Sequence, residues 1–169
     1  KVYHDILVRT GPEKWTRANS YPPNPEHTRM FDLGMDWARE NEAHKRPVSI
    51  ENEGLKLAGE YFDFGHKRCA IIFPGRTESL YYSYYFAQPY AEAGCNILVV
   101  DSRAHGLSEG KYNYCSTREW SDVIAWSRFA HDQLGCSDVV LHGICVGGAA
   151  VVLAAAKPDF PAYVSHLVV

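Results

Sequence analysis

Long hydrophobic runs are missing from this chain. The longest, Cys95 to Val100 and Ala149 to Ala156, fall far short of the ~18 to 20 residues needed to cross a bilayer, so no membrane span is expected. Extended basic runs are missing as well. None is longer than a pair such as Lys67-Arg68, and 17 Lys plus Arg against 20 Asp plus Glu leave a net charge of −3, which argues against nucleic acid as a partner. C-x-x-C spacing is absent. The five cysteines, Cys69, Cys95, Cys115, Cys136 and Cys145, signal neither a disulfide framework nor a zinc site; no metal or cofactor is implied, and a reducing, cytoplasmic setting is expected. An initiator Met is also absent, and the chain opens at Lys1, so a leader or anchor removed upstream is compatible with it.

What is present is an ordinary globular composition. The 169 residues are 46% hydrophobic, 13% aromatic and 22% charged, enough for one core without disulfides or a structural metal. Residues 1–24 read as an irregular arm, because Tyr21-Pro22-Pro23-Asn24-Pro25 cannot continue a helix. Asn24 then fits an N-cap with Pro25 at the first helical position, followed by an apolar stripe of Met30, Phe31, Leu33, Trp37 and Ala38 that should pack on the body. After Pro47 the pattern alternates through Val48, Ile50, Leu57 and Tyr61, with Glu53-Gly54 between, and predicts a β-hairpin.

From residue 69 the chain repeats one unit. Apolar runs at 69–73, 95–100, 139–144 and 164–169 alternate with helical patterns over about 79–93, 117–134 and 146–156. Unbroken apolar strands separated by helices predict an α/β fold, a mostly parallel sheet with helices on both faces. Ser116 with Glu119 fits a capping box, and Gly135 stands where a C-terminal cap belongs.

In such a sheet, sites form beyond the carboxyl ends of the strands, and three loops there carry chemistry. Gly143-Ile144-Cys145-Val146-Gly147 places Cys145 at a strand-to-helix junction in the G-x-nucleophile-x-G elbow pattern. The flanking Gly143 and Gly147 leave room where larger side chains would strike the neighbouring strand and helix. The turn aims the sulfur at the start of the following helix, where the dipole favours negative charge, and puts the Val146 N–H where it can hold an oxyanion. In Phe73-Pro74-Gly75-Arg76-Thr77, the N–H of Arg76, or alternatively of Thr77, is the candidate second donor. The third loop is Asp101-Ser102-Arg103-Ala104-His105-Gly106-Leu107-Ser108. Its His105 lacks a carboxylate at an orienting spacing, and His142 lies inside a strand end, so both read as structural. Cys69, Cys95, Cys115 and Cys136 have no nucleophile context. Part of the tyrosine-rich stretch Leu80 to Phe86 is a candidate wall for an acyl or aromatic pocket.

Together the three loops resemble the α/β-hydrolase superfamily over roughly residues 46–169, with residues 1–45 as an arm and packing helix. The resemblance is strongest to bacterial members with a D-x-R-x-H-G-x-S-E-G loop, matched by Asp101 to Gly110, many of which are esterases or peptidase-like hydrolases. Pro74 stands where that family has His, Ala104 where it has Gly, and Cys145 where it has Ser; a thiol nucleophile is similar to that of dienelactone-hydrolase-like proteins. The resemblance implies a small-molecule acyl substrate and an ester, thioester or amide cleaved through an acyl-enzyme on Cys145. It also implies an acid and a histidine after two further strands, beyond Val169, so the expectation is a truncated core that is inactive alone. The alternative is a non-catalytic binding or interaction module that keeps the fold.

Overall fold

The computed structural model describes residues 2–11, 13–18 and 24–169; Tyr21, Pro22 and Pro23, on which part of the reading of the arm rests, lie outside them. In chain order the elements are α1 (Val2–Leu7), α2 (Pro25–Glu40), β1 (Lys45–Asn52), β2 (Leu55–Phe62), β3 (Arg68–Phe73), a 3-10 segment (Leu80–Phe86), α3 (Ala87–Glu92), β4 (Cys95–Val100), α4 (Glu119–Asp132), β5 (Asp138–Gly143), α5 (Val146–Ala155) and β6 (Val164–Val168). The strands form one sheet of order β1-β2-β4-β3-β5-β6. The β1–β2 hairpin is antiparallel and joins β4 antiparallel, while β4, β3, β5 and β6 run parallel.

Alternation along the central strands divides the core. Cys69, Ile71 and Phe73 of β3 and Leu98 and Val100 of β4 face α4 and α5, packing with Val123, Trp126, Ala150 and Val151. Ala70, Ile72, Ile97 and Val99 face the other way, against Trp37 and Ala38 of α2 and against Leu80, Tyr84 and Ala87. Both faces being covered is why these strands read as continuous apolar runs. Each fully buried Ile or Leu here contributes roughly 1.5–3 kcal/mol by leaving water.

Three local expectations change. The helix expected over about 79–93 is divided into a 3-10 segment and α3, because an unbroken α-helix would need an N–H from Pro89, which proline lacks; the α-helix restarts with Pro89 in its first turn. Leu33 is 47% exposed and leaves the α2 stripe. The helix closes on the 3-10 segment at Gly34, where a Cβ would stand 2.6 Å from the Tyr85 nitrogen, and Leu33 lies about 100° around the helix from the centre of that face. The capping box is not formed. Cys115 and Ser116 both have positive φ, 48° and 77°, which turns the Ser116 hydroxyl onto the Val146 carbonyl at 2.6 Å, while Glu119 accepts the Tyr114 N–H instead. Asn24 does cap α2, accepting the His27 N–H at 3.0 Å, and Gly135 turns the chain after α4 with φ 71°.

The arm is more regular than its composition suggests. Val2–Leu7 is helical, Val8 bridges Tyr112, and Arg9 donates to the carbonyls of Gly106 and Ser108. Residues 8–11 and 13–17 thus form a strap over the loop after β4. Among the described residues no helix is long and apolar enough to cross a membrane.

Candidate active site

The parallel strands end at one edge of the sheet, and the loops leaving β3, β4 and β5 meet there. Cys145 links β5 to α5 with φ 53° and ψ −112°, a conformation in which a side chain is strained by about 1–3 kcal/mol. Its thiol is exposed. The glycines around it are required by contact: a Cβ on Gly143 would come within 2.5 Å of the Gly148 backbone, and one on Gly147 within 2.5 Å of the Phe73 carbonyl oxygen. The second contact also shows how closely α5 is drawn against the end of β3. That approach brings the elbow beside the loop carrying Arg76, and the Ile144 N–H donates to the Phe73 carbonyl at 3.0 Å.

The two expected oxyanion donors on the β3 loop differ. The Thr77 N–H is already engaged, donating to Nε2 of His105 at 3.3 Å, so the alternative donor is withdrawn by the fold. The Arg76 and Val146 N–H groups make no hydrogen bond among the described residues. The loop is shaped by Glu78, whose Oε2 accepts the Gly75 N–H at 2.7 Å while its own N–H donates to the Gly75 carbonyl at 3.3 Å.

His105 is buried and fully used. A backbone N–H can only donate, so Nε2 is the acceptor and Nδ1 carries the proton, donated to the Arg103 carbonyl at 2.9 Å. Its ring stacks on Trp15 of the strap, centroids 4.6 Å apart, and burial lowers its pKa to about 4. His142 is also tied, with Nδ1 3.1 Å from the Tyr90 hydroxyl; burial lowers its pKa too.

Around them the β4 loop is a closed polar network. Asp101 accepts the N–H groups of Leu80 and Leu107 and the guanidinium of Arg17. Burial pushes its carboxyl up against the opposing pull of Arg17. Arg103, 2% exposed, holds both oxygens of Asp122 at 2.7 Å and also Glu53. Sequence reasoning missed Trp15, Arg17 and Glu78. Glu78 could have been suspected from its place three residues after Gly75 in a strand-end loop; Trp15 and Arg17 carry no local signal.

Residues 71–169 match the alpha/beta hydrolase fold family, more than half of the chain. The chain belongs to the alpha/beta hydrolase fold family. Solved structures of the same fold include the esterase Pf2001 of Pyrococcus furiosus, 24% identical with a TM-score of 0.67 over 73% of this chain and 50% of that one. An alpha-beta hydrolase from Vibrio vulnificus is 16% identical, with a TM-score of 0.63 over 94% of this chain and 61% of its own. Epoxide hydrolase A of Mycobacterium thermoresistibile is 23% identical, with a TM-score of 0.57 over 73% and 38%. The chain therefore spans about half the length of the alpha/beta hydrolases it matches. No curated protein matches it by sequence.

Proposed function

We propose that the protein is a hydrolase that cleaves a small ester, thioester or amide through an acyl-enzyme on Cys145, in a reducing cytoplasmic setting that keeps the thiol free. The observation that carries this reading is the exposed thiol held at φ 53° on the elbow, near the N–H groups of Val146 and Arg76, which are unpaired among the described residues. The sulfur attacks the carbonyl carbon and an S–C bond forms. The two N–H groups hold the oxyanion, the bond to the leaving group breaks, and water then cleaves the thioester. In this reading residues 46–169 are the N-terminal portion of the hydrolase core, and residues 1–45 are its N-terminal arm and packing helix.

Proton transfer is assigned to a histidine, with an acid to orient it, after residue 169. Neither described histidine near the strand ends suits the task, since both nitrogens of His105 are committed and His142 is tied to Tyr90. The test is to incubate the full-length protein with 4-nitrophenyl acetate, follow nitrophenolate release, and locate the acetyl group by peptide mass. Turnover with transient acetylation of Cys145 is the expected result. Unchanged turnover by Cys145→Ala would overturn the assignment.

A further inference from the structure

Beside the elbow, on the α2 side, lies a cavity of about 160 Å³. Its walls are aromatic, formed by Phe31 of α2 and by Tyr82, Tyr85 and Phe86 of the 3-10 segment, and its floor includes Ile144, the residue before Cys145. Phe31 and Tyr82 meet edge to face with centroids 5.3 Å apart, as do Tyr85 and Phe86 at 5.2 Å. One carboxylate is set among these rings. Glu78 lines the cavity, and while its Oε2 takes the Gly75 N–H, its Oε1 receives no hydrogen bond among the described residues.

A pocket meant for a purely apolar group would be harmed by this carboxylate, because a desolvated charge without a partner is costly. Carboxylate and rings together suit an organic cation: the carboxylate supplies the counter-charge and the ring faces attract the positive group. Burial raises the Glu78 pKa against the opposing pull of the Gly75 N–H and of His27, and burial together with the Glu78 charge raises that of Tyr82. His27 at the cavity rim and exposed to solvent is the other titratable group facing it. We infer that this cavity is a subsite for an alkylammonium group on the substrate, with Glu78 as its counter-ion and Phe31, Tyr82, Tyr85 and Phe86 as its walls. The inference rests on the hydrolase reading only in making the cation part of a substrate; the binding of a cation stands apart from it.

The decisive comparison is between isosteres differing only in charge. The full-length protein is titrated with (3-hydroxypropyl)trimethylammonium and, separately, with 4,4-dimethylpentan-1-ol, in which carbon replaces the charged nitrogen, following the Tyr82 and Tyr85 ring resonances. The cation is expected to bind about tenfold more tightly, and Glu78→Gln, whose amide oxygen can still accept the Gly75 N–H, should bring the two within about twofold. Equal binding of both in the native protein would overturn the subsite. In parallel, kcat/KM is compared for 4-nitrophenyl esters of trimethylammoniobutanoate and its tert-butyl analogue. A preference for the cationic ester that Glu78→Gln removes, with the neutral ester still cleaved, is the expected result. Cation binding without cleavage of either ester would overturn the hydrolase reading and leave the subsite standing; cleavage without cation preference would do the reverse.

Discussion

The elbow after β5 and the loop after β4 flank the loop after β3, yet they are built on opposite terms. Around Cys145 the backbone is strained, the side chain is exposed, and the N–H groups of Val146 and Arg76 make no hydrogen bond among the described residues. Around Asp101, Arg103 and His105 nearly every polar atom is matched by a partner, and the side chains are almost wholly buried. The charged residues that look most chemical in the sequence are therefore the scaffold. The group that the proposed reaction uses is a small thiol on a nearly bare turn. An unsatisfied donor is a liability in a scaffold and an asset only where a substrate atom will meet it.

This contrast can be broken from either side. Replacing Cys145 by Ala should reduce ester turnover by about a thousandfold or more, with thermal unfolding unchanged; a normal rate in stopped assays of nitrophenolate release would remove the elbow from the chemistry. Replacing Arg103 by Ala should act in the other sense. It leaves Asp122 buried with too few partners and should cost about 3–5 kcal/mol in denaturant unfolding, while each molecule that remains folded keeps most of its turnover.

The pH dependence of stability sharpens the same point. His105 titrates at about 4 in the folded protein and near 6.5 when unfolded, so between these values the unfolded chain binds more protons and stability rises with pH. The contribution is complete above pH 6.5 and is lost as pH falls toward 4, by about 3 kcal/mol in all. Urea unfolding across this window should show the loss, and His105→Asn should flatten it. The smallest effect is a gain: Cys145→Gly relieves a positive φ and should stabilise the fold by about 1 kcal/mol while ending turnover. A destabilised glycine variant would mean that the elbow is not strained.

The residues differ in how legibly they announce these roles. The elbow is readable because its signal is local: two glycines around one cysteine, at the junction of an apolar run and a helical pattern. The parallel strands are readable for the same reason, since burial on both faces writes itself as continuous hydrophobicity. Thr77 was not readable as an engaged donor, because its partner is a histidine on another loop, stacked on a tryptophan from an arm with no detectable pattern. Ser116 was misread because the local capping signal competes with a carbonyl of α5 that is distant in sequence. Leu33 shows that a helical stripe specifies which side of α2 is apolar but not how far the helix turns before Gly34 meets the backbone of the 3-10 segment.

From its sequence alone, then, this chain determines the order of strands and helices, the sheet's two covered faces and the position of Cys145, because each depends on periodicity or on spacing within a few residues. Tertiary structure decided which N–H groups remain open, that His105 is locked rather than free, and that Glu78 shares a cavity with rings from two separate elements. Those outcomes depend on groups far apart in the chain competing for the same hydrogen bonds and the same space, and only the folded arrangement settles which of them prevails.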